Sequence, residues 1–281
     1  KSLGANYTGS WTDAKTLVIT VQDATGGNLA IGDTIAIKAD GLNDLKNAAG
    51  TSMASTSSKA VTGSWGLGLT TGLLGWWKFD DGSGAGALDS SGNAKHGTLN
   101  SMEETDWVTG AMGKALDFDG VNEYVSVPAL NLNSNTATIT AWVKGRQTGD
   151  YTGIVFSRAG NTCAGLSVVG GKLRYHWNGG QYDWDSGLAI PVDTWAFVAM
   201  TVEPTKVTLY VNKNSAVNNV SNSQEEFDNT LCIGQDPLGG RFWKGLIDDV
   251  RFYNRTLTQT EIFRLYDLHP PILTSAVADD P

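Results

Sequence analysis

Gly245-Leu-Ile-Asp-Asp-Val-Arg-Phe-Tyr-Asn-Arg-Thr-Leu257 reads as a strand running into a turn. Leu246, Val250 and Phe252 fall on one set of alternate positions, as expected of a strand with one face on a core. Asp248 and Asp249 interrupt that pattern. Two adjacent carboxylates in an apolar strand cost desolvation energy unless something compensates them. A second carboxylate-bearing strand lies upstream, at Ala115-Leu-Asp-Phe-Asp-Gly-Val-Asn-Glu-Tyr-Val-Ser-Val127. The reading that follows is that the two stretches meet and share a cation.

Working outward, the rest of the chain supplies many short strands and almost no helix-period stripes. Thirty-four glycines in 281 residues, with frequent Thr, Ser, Asn and Val, indicate strands joined by turns. Between Gly75 and Tyr253 about a dozen strand-like runs are bounded by turn residues. The expected fold class is all-β: a two-sheet antiparallel jelly-roll sandwich, with a smaller β-sandwich-like segment before it. Thr258 and Glu261 form the two ends of a capping box and predict one helix after the last strand.

The formal net charge of −9 argues against nucleic-acid or anionic-membrane partners, because the electrostatic term has the wrong sign. It suits an extracellular or cell-surface protein and is compatible with Ca²⁺, a hard cation that takes six to eight oxygens. No apolar run is long enough for membrane insertion, and no signal peptide is present. The chain begins at Lys1 without an initiator methionine and reads as a piece of a longer protein. Cys163 and Cys232 lack the spacing of a zinc or redox motif. They are either one disulfide, if their strands are neighbours, or two buried thiols.

The predicted organisation has four parts. Residues 1–65 contain three or four strands, among them Thr16-Leu-Val-Ile-Thr-Val21 and Asp33-Thr-Ile-Ala-Ile-Lys38. The phrases Trp11-Thr-Asp-Ala-Lys-Thr-Leu-Val-Ile-Thr20, Gly32-Asp-Thr-Ile35 and Gly41-Leu-Asn-Asp44 resemble bacterial immunoglobulin-like modules of surface-layer and adhesin proteins. Such a sandwich needs about seven strands, so the block reads as a partial module. Residues 66–73 are a glycine-rich linker, 74–266 the main domain, and 267–281 a linker or the first strand of a following module.

The main domain carries an ordered set of phrases: Gly75-Trp-Trp-Lys-Phe-Asp-Asp-Gly-Ser-Gly84, Asp89-Ser-Ser-Gly-Asn-Ala-Lys-His-Gly-Thr98, Gly113-Lys-Ala-Leu-Asp-Phe-Asp-Gly120, Thr138-Ile-Thr-Ala-Trp-Val143, Asp193-Thr-Trp-Ala-Phe-Val-Ala-Met-Thr201 and Val207-Thr-Leu-Tyr-Val-Asn212, ending in Gly245–Leu257. In this order they resemble the laminin-G-like, concanavalin-A-like jelly-roll domains of secreted bacterial proteins. The resemblance implies two curved antiparallel sheets and, commonly, a structural calcium ion. The candidate ligands are Asp119, Asn122, Asp248 and Asp249. In a regular strand Asp248 and Asp249 point to opposite faces, so both can ligate only if a bulge intervenes.

For recognition, the informative stretch is Tyr175-His-Trp-Asn-Gly-Gly-Gln-Tyr-Asp-Trp-Asp185. Its glycines and asparagine mark a loop. Aromatic faces flanked by polar side chains suit a sugar, whose C–H face stacks on a ring while its hydroxyls take hydrogen bonds. The alternative is a hairpin whose aromatics staple its own strands. Candidates are Arg174, Tyr175, Trp177, Tyr182, Asp183 and Trp184, with Trp243 on another loop; Arg158 and His176 are weaker candidates of the same kind. No Glu-x-Asp-x-Glu glucanase pattern, serine elbow or histidine metal spacing occurs, so no enzyme is expected. Two readings stand: a non-catalytic module binding a polysaccharide or other glycan, or a structural subunit of a surface filament that joins neighbouring modules or copies of itself by strand addition.

Overall fold

In the computed structural model, the described residues are 69–146, 151–159, 162–178 and 181–268, together with four short strand segments before residue 61. The chain divides into two units, Lys1–Gly68 and Leu69–Pro281. In the first, β1 (Asn6–Trp11) pairs antiparallel with β2 (Leu17–Asp23), and β3 (Thr34–Ile35) with β4 (Lys59–Ala60). The expected partial immunoglobulin-like module otherwise lies outside the described residues.

The second unit runs in chain order through β5 (Leu73–Trp77), β6 (Gly86–Ala87), β7 (Gly97–Asn100), β8 (Trp107–Thr109), β9 (Lys114–Asp119), β10 (Tyr124–Val127), β11 (Ala137–Gly145), β12 (Thr152–Ala159) and β13 (Thr162–Val169). It continues through β14 (Lys172–Trp177), β15 (Ala196–Glu203), β16 (Lys206–Val211), β17 (Asn214–Asn218), β18 (Leu231–Ile233), β19 (Gln235–Asp236), β20 (Arg241–Phe242) and β21 (Lys244–Tyr253) to the helix α1 (Gln259–Asp267). The strands build the expected two-sheet antiparallel jelly roll. One sheet has the order β14-β13-β12-β18-β10-β7-β6. The other has the order β17-β16-β15-β11-β21-β9-β8, with β5 also on β21. Ile139, Ala141 and Val143 of β11 and Val125, Val155 and Leu166 of the facing sheet belong to one buried cluster. Each such Val, Ile or Leu side chain contributes roughly 1.5–3 kcal/mol on burial.

β21 is an interior strand of the second sheet, flanked by β11 on one edge and by β9 and β5 on the other, and its alternation differs from the simple reading. Its inward residues are Ile247, Val250 and Phe252; Leu246 is buried but belongs to neither apolar cluster. The cause is a bulge. Trp142 of β11 faces Asp248 and Thr140 faces Arg251, so Asp249 and Val250 together oppose a single residue. Asp249 takes a φ of +47°. One extra residue moves every later side chain to the other face. The bulge sits where β21 changes partner on its other edge, pairing with β9 through Lys244–Ile247 and with β5 from Val250.

The predicted capping box is present: Thr258 Oγ1 accepts from the Glu261 N–H, and Glu261 accepts from the Thr258 N–H at 2.8 Å. Helix α1 buries Ile262 and Leu265 in a second cluster with Trp142 and Phe197, on the outer face of the β11 sheet. Tyr266 stacks on Trp142 with centroids 5.6 Å apart. Cys163 and Cys232 are buried thiols that no disulfide joins. β12 runs between their strands, β13 and β18.

Candidate functional site

Strand alternation builds the site. On β14 the side chains alternate, with Leu173, Tyr175 and Trp177 in the core and Arg174 and His176 on the opposite face. Cross-strand register extends that opposite face: His176 faces Gly165, Gly165 faces Phe156, and Phe156 faces Cys232. The core-facing row beside it is Tyr175, Leu166, Val155 and Ile233. On the outer row lies a cavity of about 320 Å³. Phe156, His176 and Ser167 line it from the sheet. Tyr151, Tyr182 and Leu238 line it from loops, and Arg158, Asp236 and Arg241 complete it.

Two glycines make this arrangement possible. A Cβ on Gly153 would lie 2.1 Å from the Asp236 backbone nitrogen, so only glycine lets β19 lie so close to β12. A Cβ on Gly165 would lie 2.7 Å from the Phe156 ring. The β19–β20 hairpin turns at Gly239 and Gly240, both with positive φ, and brings Asp236 opposite Arg241.

Asp236 is the hub of the polar wall. Its Oδ1 accepts from Arg158 Nε at 2.8 Å and from the Leu238 N–H at 3.2 Å. Its Oδ2 accepts from Arg158 Nη2 at 3.0 Å and Arg241 Nη1 at 2.8 Å. Burial pushes the Asp236 carboxyl up, but the two guanidinium groups outweigh it and hold it below its usual range. Burial pushes His176 down to about 4, with the Arg158 charge acting in the same direction, so the imidazole is neutral at pH 7. Its Nε2 is buried and has no hydrogen-bond partner among the described residues. Tyr151 stacks under the Arg241 guanidinium at 4.9 Å, and Tyr182 packs against His176 at 5.2 Å.

Of the aromatic candidates named from sequence, Tyr182 reaches this cavity and is 44% exposed. Tyr175, Trp177 and Trp243 do not present open faces; all three are buried in the main core. Tyr175 accepts a hydrogen bond from Asn218, and Trp177 donates to the Ser223 carbonyl. Trp184 packs edge-on to Tyr175 at 5.9 Å, partly buried against the core. Arg174 donates to the Asp183 carbonyl and pairs with Asp185, while the Asp183 carboxylate accepts from the Tyr151 hydroxyl at 3.4 Å. Arg158 and His176, the weaker candidates, line the cavity. Asp236, Arg241, Tyr151 and Phe156 went unnamed. The one available signal was Asp236-Pro-Leu-Gly-Gly-Arg241, a turn phrase that places opposite charges across a hairpin.

The four residues named for calcium do not converge. Register places Asp119 opposite Lys244, four residues from Asp248 and so about 13 Å along the strand. Asp119 Oδ1 caps its own turn, accepting from the Val121 and Asn122 N–H groups. Asp249 accepts from Trp76 Nε1 and pairs with Arg251 at 3.0 Å. Asp248 accepts from the Met112 N–H. Burial raises its pKa to about 8, helped by the charges of Asp249 and Asp80. Among the described residues no group of three or more His, Cys, Asp or Glu side chains converges as a metal site.

The chain belongs to the concanavalin A-like lectin/glucanases superfamily, whose laminin G-like model matches residues 119–263. Among solved structures, it is similar to domain 4 of AbnA, a GH43 extracellular arabinanase from Geobacillus stearothermophilus, determined in complex with arabinotriose. The identity is 24% and the TM-score 0.58, over 69% of this chain and 98% of that domain. The binding domain of Paraclostridial Mosquitocidal Protein 1 follows at 16% identity and TM-score 0.58, over 71% of this chain and 53% of that one. A Trypanosoma rangeli sialidase mutant displaying trans-sialidase activity matches at 18% and 0.54, over 70% of this chain and 33% of that one. The chain thus spans about half of the toxin domain and a third of the sialidase. At these identities the likeness is one of fold. No curated protein sequence matches the chain. Among the described residues no helix is long and apolar enough to cross a membrane.

Proposed function

We propose that Leu69–Pro281 is a non-catalytic carbohydrate-binding module of an extracellular or cell-surface protein, and that it takes part of a glycan into the cavity on the outer face of the β12–β14 sheet. The observation that carries this reading is the composition of that cavity. Tyr182 and Tyr151 line it beside the charged Arg158–Asp236–Arg241 wall. A pyranose or furanose needs this pairing of an apolar platform with directed polar groups. Support comes from family membership and from the fold shared with an arabinanase domain whose structure was determined in complex with arabinotriose.

The same cavity is poorly equipped for hydrolysis. Glycosidases use two carboxyl groups, one of them poised as an acid. Here Asp236 is the one carboxylate among the lining residues, and two arginines hold it ionised. The test is calorimetric titration of the purified protein with a panel of oligosaccharides. Binding that weakens at least about tenfold in Tyr182→Ala, with unchanged melting temperature, supports the reading. A panel without a single binder overturns it.

Calcium enters as a separate proposal and rests on Asp248 alone of the four residues. Asp248 is 1% exposed and makes no salt bridge among the described residues, and burial, helped by the charges of Asp249 and Asp80, raises its pKa to about 8. A divalent cation would ionise this group and offset its burial.

A further inference from the structure

We propose that the glycan taken by this cavity is acidic, with a sugar carboxylate read by Arg241 and Arg158. This rests on the recognition reading above and specifies its ligand class. The argument is a count of hydrogen-bonding capacity. A carboxylate offers about four acceptor positions, two on each oxygen. On Asp236 all four are taken: Oδ1 by Arg158 Nε and the Leu238 N–H, Oδ2 by Arg158 Nη2 and Arg241 Nη1. Asp236 therefore has nothing left to accept from a sugar hydroxyl.

What remains in the wall donates. Arg158 Nη1 and Arg241 Nε and Nη2 make no hydrogen bond to protein among the described residues. The two guanidinium groups against one carboxylate leave the lining one positive charge in excess, in a chain whose formal net charge is −9. His176 is neutral and leaves that excess unchanged, and the arginines oppose its protonation. A neutral sugar presents hydroxyls that need acceptors as well as donors. A carboxylate presents only acceptors, carries the matching charge and fits the planar guanidinium fork. The Arg241 side chain is 28% exposed, which leaves it accessible from solvent, while Asp236 at 2% fixes its other end. Tyr151 holds the guanidinium plane from below.

The test keeps the protein intact and changes the ligand. Wild-type protein is titrated with an oligogalacturonide, its methyl ester, a sialylated oligosaccharide and a neutral arabino-oligosaccharide. The expected result is binding of at least one free acid and, where the methyl ester is compared, a loss of about 10- to 100-fold, the usual worth of one charged hydrogen bond. Arg241→Gln should cost a similar factor and Arg241→Lys less, both with the wild-type circular dichroism spectrum, while the lost hydrogen bond to Asp236 lowers the melting temperature of the glutamine variant by a few degrees. The binding should also weaken as salt rises. The uronate and nonulosonate arms separate the two sources of the carboxylate. Equal affinity for acid and ester, or neutral sugars binding best, overturns the acidic-ligand inference and leaves glycan recognition standing. No binding in any arm overturns both.

Discussion

Asp236→Asn is the sharpest test of the site as a structural unit. The carboxylate is 2% exposed and receives three guanidinium hydrogen bonds, two from Arg158 and one from Arg241. The amide keeps the shape, but its NH₂ faces donors and its negative charge is gone. Breaking a buried pair in this way costs about 3–5 kcal/mol, because the remaining charge is left uncompensated. The Arg158 and Arg241 side chains keep 14% and 28% of their exposure, so water recovers part of the loss. We therefore take the low end, about 3 kcal/mol. For a unit of this size each kcal/mol moves Tm by roughly 2–4 °C, so the expected drop is about 6–12 °C at pH 7. The pH profile supplies an independent check. Asp236 has a depressed folded pKa. Its contribution is therefore complete above the ordinary carboxyl value and disappears as pH falls through the lower, folded one. Differential scanning calorimetry should find a constant gap between wild type and variant above about pH 5, narrowing towards pH 2. Adding Arg158→Met to the variant should restore part of the stability, since it removes an unpaired cation. A gap under about 1 °C at pH 7, or one that stays flat to pH 2, would refute the hub.

Gly153→Ala should destabilise by about 1–3 kcal/mol and abolish ligand binding, since the new methyl group displaces the Asp236 backbone; chemical denaturation and titration read both effects. Trp243 and Tyr182 should separate cleanly. Trp243→Ala, 2% exposed, should cost about 3–5 kcal/mol, whereas Tyr182→Ala, 44% exposed, should change stability by less than about 0.5 kcal/mol and lose ligand affinity. Asp248 gives the opposite pH sign to Asp236. Its folded pKa is raised to about 8, so in chelator the wild type should lose stability as pH rises from about 4 to 8, by a few kcal/mol, and Asp248→Asn should not. The calcium proposal adds that Ca²⁺ raises the wild-type Tm at pH 8 and leaves Asp248→Asn unmoved; melting curves with and without chelator decide it.

The fold was legible because its signals are local. Turn residues at short spacing, alternating strands and the Thr258–Glu261 box each act within a few residues, and the ordered phrases pointed to the jelly roll. At Asp248-Asp249 the sequence raised a bulge only as the condition for both carboxylates to ligate one ion, and the structure has a bulge there. The reading of Gly245–Leu257 went astray on parity. A bulge adds one residue, and nothing within the strand says which side chain it shifts; the change of edge partner from β9 to β5 does.

The recognition loop illustrates the same division. Alternation on β14 was readable, but which of its two faces is the core depends on the facing sheet. Tyr175 and Trp177 went inward, and Arg174 and His176 outward. By itself the sequence determined a two-sheet β-sandwich, a capped terminal helix and a chain rich in aromatic and polar candidates. Only the tertiary structure decided which of them form a site. Arg158 and Asp236 are 78 residues apart in sequence, and they meet because a glycine at 153 lets one hairpin settle against another strand. Sequence spacing carries no trace of such a contact, since the energy that holds it arises only once both segments have left water together.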